Sequence, residues 1–336
     1  MMLSLLLLAA AAVPQPAELK TFQDWTVGCD NGAACHAVAL VPEDWPDEAL
    51  TMSVRRGPEP NAVPVLAIAL GADGNAAALG ADGRRLAVRL VGTEGETKIV
   101  PADAATAIGA LRSAGRLQVE GADGKPLGTV SLKGASAALL YMDEQQRRTG
   151  TATALVRPGT RPPDARPAPS LPVVTAPPLS TARPLTLSEA GVKALRRKHG
   201  CTIDEVGGPD EAESTALGPA ATLLLLACGS GAYNVSHVPF VVRRGRGGVQ
   251  AALAAFDVKP DWWGEQGMPV LVNAGWDKKS GLLTSFSKGR GLGDCGTTAA
   301  YAWDGSRFRL VEQRVMGECR GSIDYITTWR AKVVRR

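Results

Sequence analysis

The chain has 336 residues, with 37 Lys and Arg against 33 Asp and Glu, a formal net charge of +4 and 45% hydrophobic residues. So even a charge balance, with no recognised nucleic-acid-binding module, sets nucleic-acid binding aside. No stretch beyond the N-terminus approaches the roughly 20 apolar residues of a membrane-spanning helix.

The chain opens MMLSLLLLAAAAVPQPA, and Leu3 to Val13 form one apolar run. Its length suits a secretory signal and is too short to cross a bilayer. Residues 1–17 are therefore read as a signal peptide, with cleavage near Ala10 to Ala12 or after Ala17, although no Lys or Arg precedes the run. No cysteine follows the run directly, which argues against the lipoprotein route. The expected location is periplasmic or secreted, with no membrane span in the mature chain.

All six cysteines, Cys29, Cys35, Cys201, Cys228, Cys295 and Cys319, lie after this segment. In an oxidising compartment an even number reads as disulfides. Nearest-neighbour pairing, 29–35, 201–228 and 295–319, keeps each bridge local, and loops of these lengths give about 2–3.5 kcal/mol apiece in the chain-entropy model. Cys29-x5-Cys35-His36 lacks the spacing of a zinc site, and the chain has only three histidines. His36 is read as a bystander on the strand leaving the bridge. No metal and no cofactor is expected.

Residues 20–153 read as a β-rich, sandwich-like domain. SVRRG, VPVLAIAL, RLAVRLV, RLQVEG and GTVSL have strand character, and Asp73–Gly74, Asp82–Gly83 and Asp123–Gly124 mark hairpin turns. Residues 101–115 predict a helix with Asp103 as N-cap and Gly115 as stop, and a second helix is expected near Ala135 to Gln146. Residues 157–185 hold nine prolines, so 154–185 read as an extended, semi-rigid linker.

Residues 186–336 predict a sheet-dominated α+β domain with two of the three disulfides. It opens on a helix with a capping box of Thr186 and Glu189, basic residues Arg196 to Lys198 in its last turn and Gly200 beyond. Cys201 follows at once, so a bridge to Cys228 pins this helix to the strand TLLLLAC. AYAWDGSRFRLVEQR is a hairpin turning at Asp304–Gly305. The fold class expected for the whole is α+β, mostly β, braced by disulfides.

Gly291 to Gly296 spells G-x-G-x-x-G, but β-branched and aromatic residues follow it where a nucleotide site needs a helix, so it reads as a tight turn beside Cys295. The enzymatic rival is a hydrolase around His237, with Asp257 or Asp294 as orienter. Ser236 beside it points to the opposite face of a strand, and no G-x-S-x-G elbow exists. Five of the seven tryptophans fall in the last third: Trp262, Trp263, Trp276, Trp303 and Trp329. Aromatic faces stack on sugars or anchor partners. The binding surface expected from the sequence is Trp262 and Trp263 with Arg243, Arg244 and Arg290.

The stretches KGRGLGDCG, AYAWDGSRFRLVEQ, CRGS and TTWRAKV resemble a family of secreted bacterial proteins known as domain of unknown function 1176. FQDWTVGC (22–29), SVRRG (53–57) and LQVEGADGKPLGTVSLKG (117–134) resemble invasion-associated locus B proteins. Those are small, exported, β-rich modules of the cell envelope. The resemblance implies compartment and architecture and brings no catalytic residue with it. The functional expectation is a non-enzymatic exported protein that binds an envelope protein or an anionic envelope polymer, with the periplasmic hydrolase as alternative.

Overall fold

The structure, a computed structural model, describes residues 13–44, 46, 48–70, 76–93, 95–164, 166–201, 212–260, 262–263 and 267–336, with Thr93, Trp262 and Trp263 described at the backbone only. Residues 1–12, the proposed start of a signal peptide, and the Asp73–Gly74 turn lie outside the described residues. The chain is mostly β, and its described residues form three α-helices: α1 (Ala104–Ser113), α2 (Ala135–Gln145) and α3 (Glu189–Lys198).

In the N-terminal half a seven-stranded antiparallel sheet runs in the order Lys20–Phe22, Trp25–Cys29, Cys35–Ala39, Thr51–Arg56, Val65–Ala69, Glu96–Ile99 and Leu90–Thr93. A four-stranded sheet, Pro126–Ser131, Arg116–Gly121, Ala76–Ala81 and Arg84–Arg85, shares one core with it. Trp25, Val27, Met52, Val54 and Ile68 of the first sheet meet Leu79, Leu117, Val119 and Val130 of the second, and α1 and α2 close the core with Ile108, Leu111, Leu139 and Met142. The two Asp-Gly signals among the described residues of this half act as expected. Asp82 and Gly83 both adopt positive φ between two paired strands, and Gly124 has φ +76 in the next hairpin.

The C-terminal half stacks two further sheets. One orders Ala212–Gly218, Ala221–Ser230, Val235–Gly245, Pro269–Val272 and Trp262–Trp263, with Gly248–Leu253 also paired to Val235–Gly245. The other orders Gly275–Asp277, Leu282–Lys288, Gly296–Trp303, Phe308–Met316 and Ile326–Arg330. Alternation in TLLLLAC explains the layering. Leu223 and Leu225 face the core between the sheets, while Leu224 and Leu226 face α3. A strand buried on both faces loses its polar positions, hence the run of four leucines.

The three bridges are Cys29–Cys35, Cys201–Cys228 and Cys295–Cys319, and no described cysteine is free. Two expected caps differ. The N-cap of α3 is Ser188, whose Oγ accepts from Gly191 N at 3.2 Å, so Thr186 is not the cap. Asp103 does precede α1, but its carboxylate accepts from Arg89 N and Nε, both at 2.8 Å, and makes no cap bond. A two-toothed guanidinium is the stronger partner for that carboxylate.

The proline-rich segment is not a free spacer. Val173–Ala176, which contains no proline, pairs in parallel with Lys332–Arg335. Val174 and Ala176 then pack on Ala302 and Val311, covering the outer face of the five-stranded sheet. Proline removes backbone donors only where it stands, so the gap between Pro172 and Pro177 is long enough for four ladder pairs.

Candidate functional site

The strand register builds an aromatic wall. Trp276 pairs with Leu283 and Leu283 with Tyr301, so the three lie in a row across the sheet. Trp303, two residues beyond Tyr301, shares that face. All four belong to the core between the C-terminal sheets, but Trp276 stands at its open end and is only half-buried. From the facing sheet Arg243 places its guanidinium carbon 5.6 Å from the centre of the Trp303 ring and donates to Gly305 O at 3.3 Å. A cation over an indole face fixes the ring and adds positive charge behind it.

Residues 177–184 cross this open end as a strap. Arg335 fastens it, donating to Pro177 O at 3.0 Å and to Gly281 O at 3.1 Å. Gly281 has φ +66, and a Cβ there would stand 2.2 Å from Leu179 Cδ2, so the strap needs a glycine beneath it. The result is a groove of about 330 Å³ between the strap, Ser214 to Leu217, Trp276, Lys278, Trp303 and Arg335. No Asp or Glu among the described residues lines it. Among the described residues, the indole N–H groups of Trp276 and Trp303, the Lys278 ammonium and the hydroxyls of Thr181, Ser214 and Thr215 have no hydrogen-bond partner.

A second concave region lies in the seam between the halves. Alternation along Cys35–Ala39 sends Ala37 and Ala39 into the N-terminal core and Val38, with Leu40 beyond it, against Met316, Ile326 and Tyr325. His36 shares the second face, so it is buried in the seam, with Nε2 3.3 Å from Asp324 Oδ2 but outside hydrogen-bond geometry. It is not a bystander: its strand has two buried faces. Arg55 donates to both oxygens of Asp324. Asp24 pairs with Arg320 and Asp30 with Arg330 across the same seam. Asn31 exchanges hydrogen bonds with the Arg330 backbone at 2.8 and 2.9 Å. Burial lowers the His36 pKa against the pull of Asp324. Burial pushes Asp324 the other way, yet His36, Arg55 and Ser53 hold its carboxyl at about 2. At neutral pH His36 is uncharged, so the permanent cation of Arg55 keeps Asp324 ionised.

The three arginines nominated from the sequence lie toward opposite ends of one strand. Arg243 and Arg244 sit at the far end of Val235–Gly245. The loop carrying Arg290 meets the beginning of that strand, where Asn234 donates to Lys288 O and Tyr233 to Gly289 O. Eight strand residues separate the two ends, about 26 Å. Arg290 is also engaged by Asp294. The side chains of Trp262 and Trp263 lie outside the described residues; their backbones pair with Val270 and Pro269. His237 Nδ1 lies 3.2 Å from Val235 O and 3.4 Å from Ala274 N. The two carboxylates offered as its orienters are engaged elsewhere: Asp257 with Leu310 N and Arg309, Asp294 with Arg290 and Gly321 N. His199, at the end of α3, is half-buried. Its ring lies edge-on to Phe240, with Nδ1 3.1 Å from Met268 Sδ. No group of three or more His, Cys, Asp or Glu able to hold a metal occurs among the described residues.

The G-x-G-x-x-G stretch leads into the strand Gly296–Trp303, with Gly293 at φ +69 and Gly296 at φ +135, as a turn beside the bridge requires. That turn, the hairpin at Asp304–Gly305 and the C-terminal strands all fall inside residues 19–332, which match the family model for a protein of unknown function, DUF1176. The chain belongs to the DUF1176 family. A protein of Escherichia coli (strain K12), the uncharacterized protein YpfG, is 36% identical over 204 residues, which are 57% of this chain and 56% of that protein. The match thus spans little more than half the length of that relative. The crystal structure of invasion associated protein b from Bartonella henselae aligns with 39% of this chain and 99% of its own, at 19% identity and a TM-score of 0.28. The aromatic groove and the His36 seam were both missed from the sequence. Their available signals were the Tyr301–Trp303 alternation and the unbroken apolar character of Ala37 to Leu40 around one histidine.

Proposed function

We propose that this DUF1176 protein is exported, periplasmic or secreted, and acts as a non-enzymatic binding protein of the cell envelope, taking an envelope component in the groove under the proline strap. The observation that carries this reading is the set of unpaired donors and hydroxyls around Trp276, Trp303 and Lys278. Concave sites with a few convergent polar groups on apolar walls are the usual form of a ligand site. Three disulfides and the apolar N-terminal run support the compartment. The hydrolase reading around His237 draws no support from this geometry. The same reading takes 20–153 and 186–336 as two domains, with 154–185 between them.

The test has two parts. Osmotic-shock fractionation of cells expressing the full chain should release the processed protein with the periplasm or medium. The purified mature protein should then sediment with washed envelope fragments, and Trp276→Ala with Lys278→Ala should sediment less. Retention in the cytoplasm, or equal sedimentation of wild type and variant, counts against the proposal.

A further inference from the structure

Resting on that reading, we infer that the groove takes a saccharide carrying carboxylate or phosphate groups. The chemistry of its walls selects this class. The faces of sugar rings present C–H groups that pack on indole, while their hydroxyls both accept and donate hydrogen bonds. Trp276 and Trp303 offer aromatic surface and two unpaired N–H donors, and Thr181, Ser214 and Thr215 offer hydroxyls that do either. Three cations surround these groups without a carboxylate partner among the described residues. Lys278 is exposed on the rim, Arg335 is bound only to carbonyl oxygens, and Arg243 stands behind Trp303. The neighbouring carboxylate, Asp277, is absorbed in its own turn by Lys279 N and the Ser280 hydroxyl. Asp277 stays ionised but does not line the groove, whose described lining holds two cations, Lys278 and Arg335, and no carboxylate; that net positive charge favours an anionic ligand over a neutral one.

A peptide is the competing occupant, because Ala212–Gly218 is an edge strand of its sheet. The saccharide is favoured because the strap facing that edge contributes Pro177, Pro178 and Pro184, which have no N–H to share in a ladder. The unpaired groups that remain are side-chain donors and hydroxyls clustered at the aromatic wall.

The experiment is calorimetric titration of the full mature protein with oligogalacturonate, with the same oligomer fully methyl-esterified, and with an unstructured peptide mixture of matched charge. The carboxylated sugar should bind, and esterification should weaken it about tenfold, the scale of one lost charge contact. Trp276→Ala should weaken both sugars by a similar factor, about tenfold for one aromatic platform. Lys278→Ala, on the exposed rim and without a role in packing, should shrink the preference for the charged form while leaving binding of the esterified sugar unchanged. If neither sugar binds while wild type still sediments with envelope fragments, or if the peptides bind instead, the saccharide assignment fails and the broader reading stands. If sedimentation is also lost, both fail. Equal binding of the charged and esterified sugars overturns the anionic part.

Discussion

His36 and Asp324 meet across the seam with Nε2 and Oδ2 3.3 Å apart, one residue from each half of the chain. Burial holds the folded-state pKa of His36 below the ordinary 6.5, so the folded protein binds fewer protons at this site than the unfolded chain. Its contribution to stability is complete above pH 6.5 and is lost as pH falls from there toward the folded pKa. Asp324, held at about 2, loses its contribution only below the ordinary carboxyl range, so the two effects separate. The melting-temperature advantage of wild type over His36→Asn should shrink between pH 7.5 and pH 5. His199, also lowered by burial, is present in both proteins and cancels. A difference that stays constant over this range contradicts the assignment.

Arg56 and Asp143 form an ion pair with both side chains fully buried. Asp143 also accepts from the backbone N–H groups of Leu155 and Val156, and Arg56 donates to Gln146 and Thr153 O. Removing one partner of such a pair costs about 3–5 kcal/mol, because the other charge stays buried. Asp143→Ala should stand at the upper end of that range and Arg56→Met at the lower, since only the former strands backbone donors. Urea denaturation of the two variants gives the order directly, and the reverse order would show that the backbone bonds add nothing.

What the sequence revealed depended on how local the cause was. Disulfide pairing, the Asp82–Gly83 and Asp123–Gly124 turns and the helices Ala104–Ser113 and Ala135–Gln145 each follow from a few neighbouring residues. Thr186 misled because Ser188, two residues on, offers a hydroxyl that reaches Gly191 N. The groove was illegible for another reason. Trp276 and Trp303 meet through the register of their own sheet, but the strap with Leu179 is brought to them and to Arg335 by a parallel pairing between residues 173–176 and 332–335, more than 150 residues apart in sequence. His36 was misjudged because burial on a second face depends on what packs there, and Asp324 lies far along the chain.

The bridges support a third prediction. Cys295–Cys319 closes a loop with a sequence separation of 24 and joins the turn at Gly293 to the loop holding Gly321, which donates to Asp294. Replacing both cysteines by alanine should cost about 3 kcal/mol by the chain-entropy account. The non-reduced, denatured mature protein should carry no thiol that reacts with a labelling reagent. Two or more labelled thiols would contradict the three-bridge arrangement.

Gly281 tests the strap. Its φ of +66 strains any other residue, and the Cβ of an alanine would collide with Leu179 of the strap and with Arg335, which fastens it. A left-handed non-glycine residue costs about 1–3 kcal/mol, and relief here comes most readily by lifting the strap. The pairing at 173–176 is held by its backbone ladder and by Val174 and Ala176 packing on Ala302 and Val311, and only the Arg335 side chain meets the new Cβ, so the loss should be local. Gly281→Ala should therefore leave the denaturation midpoint of the N-terminal core nearly unchanged. Chymotrypsin should cut after Leu179, which is exposed within the docked strap and followed by Ser180, several times faster in the variant. Unchanged cleavage would mean that the strap is held by Arg335 and the paired strand alone, with Leu179 contributing nothing.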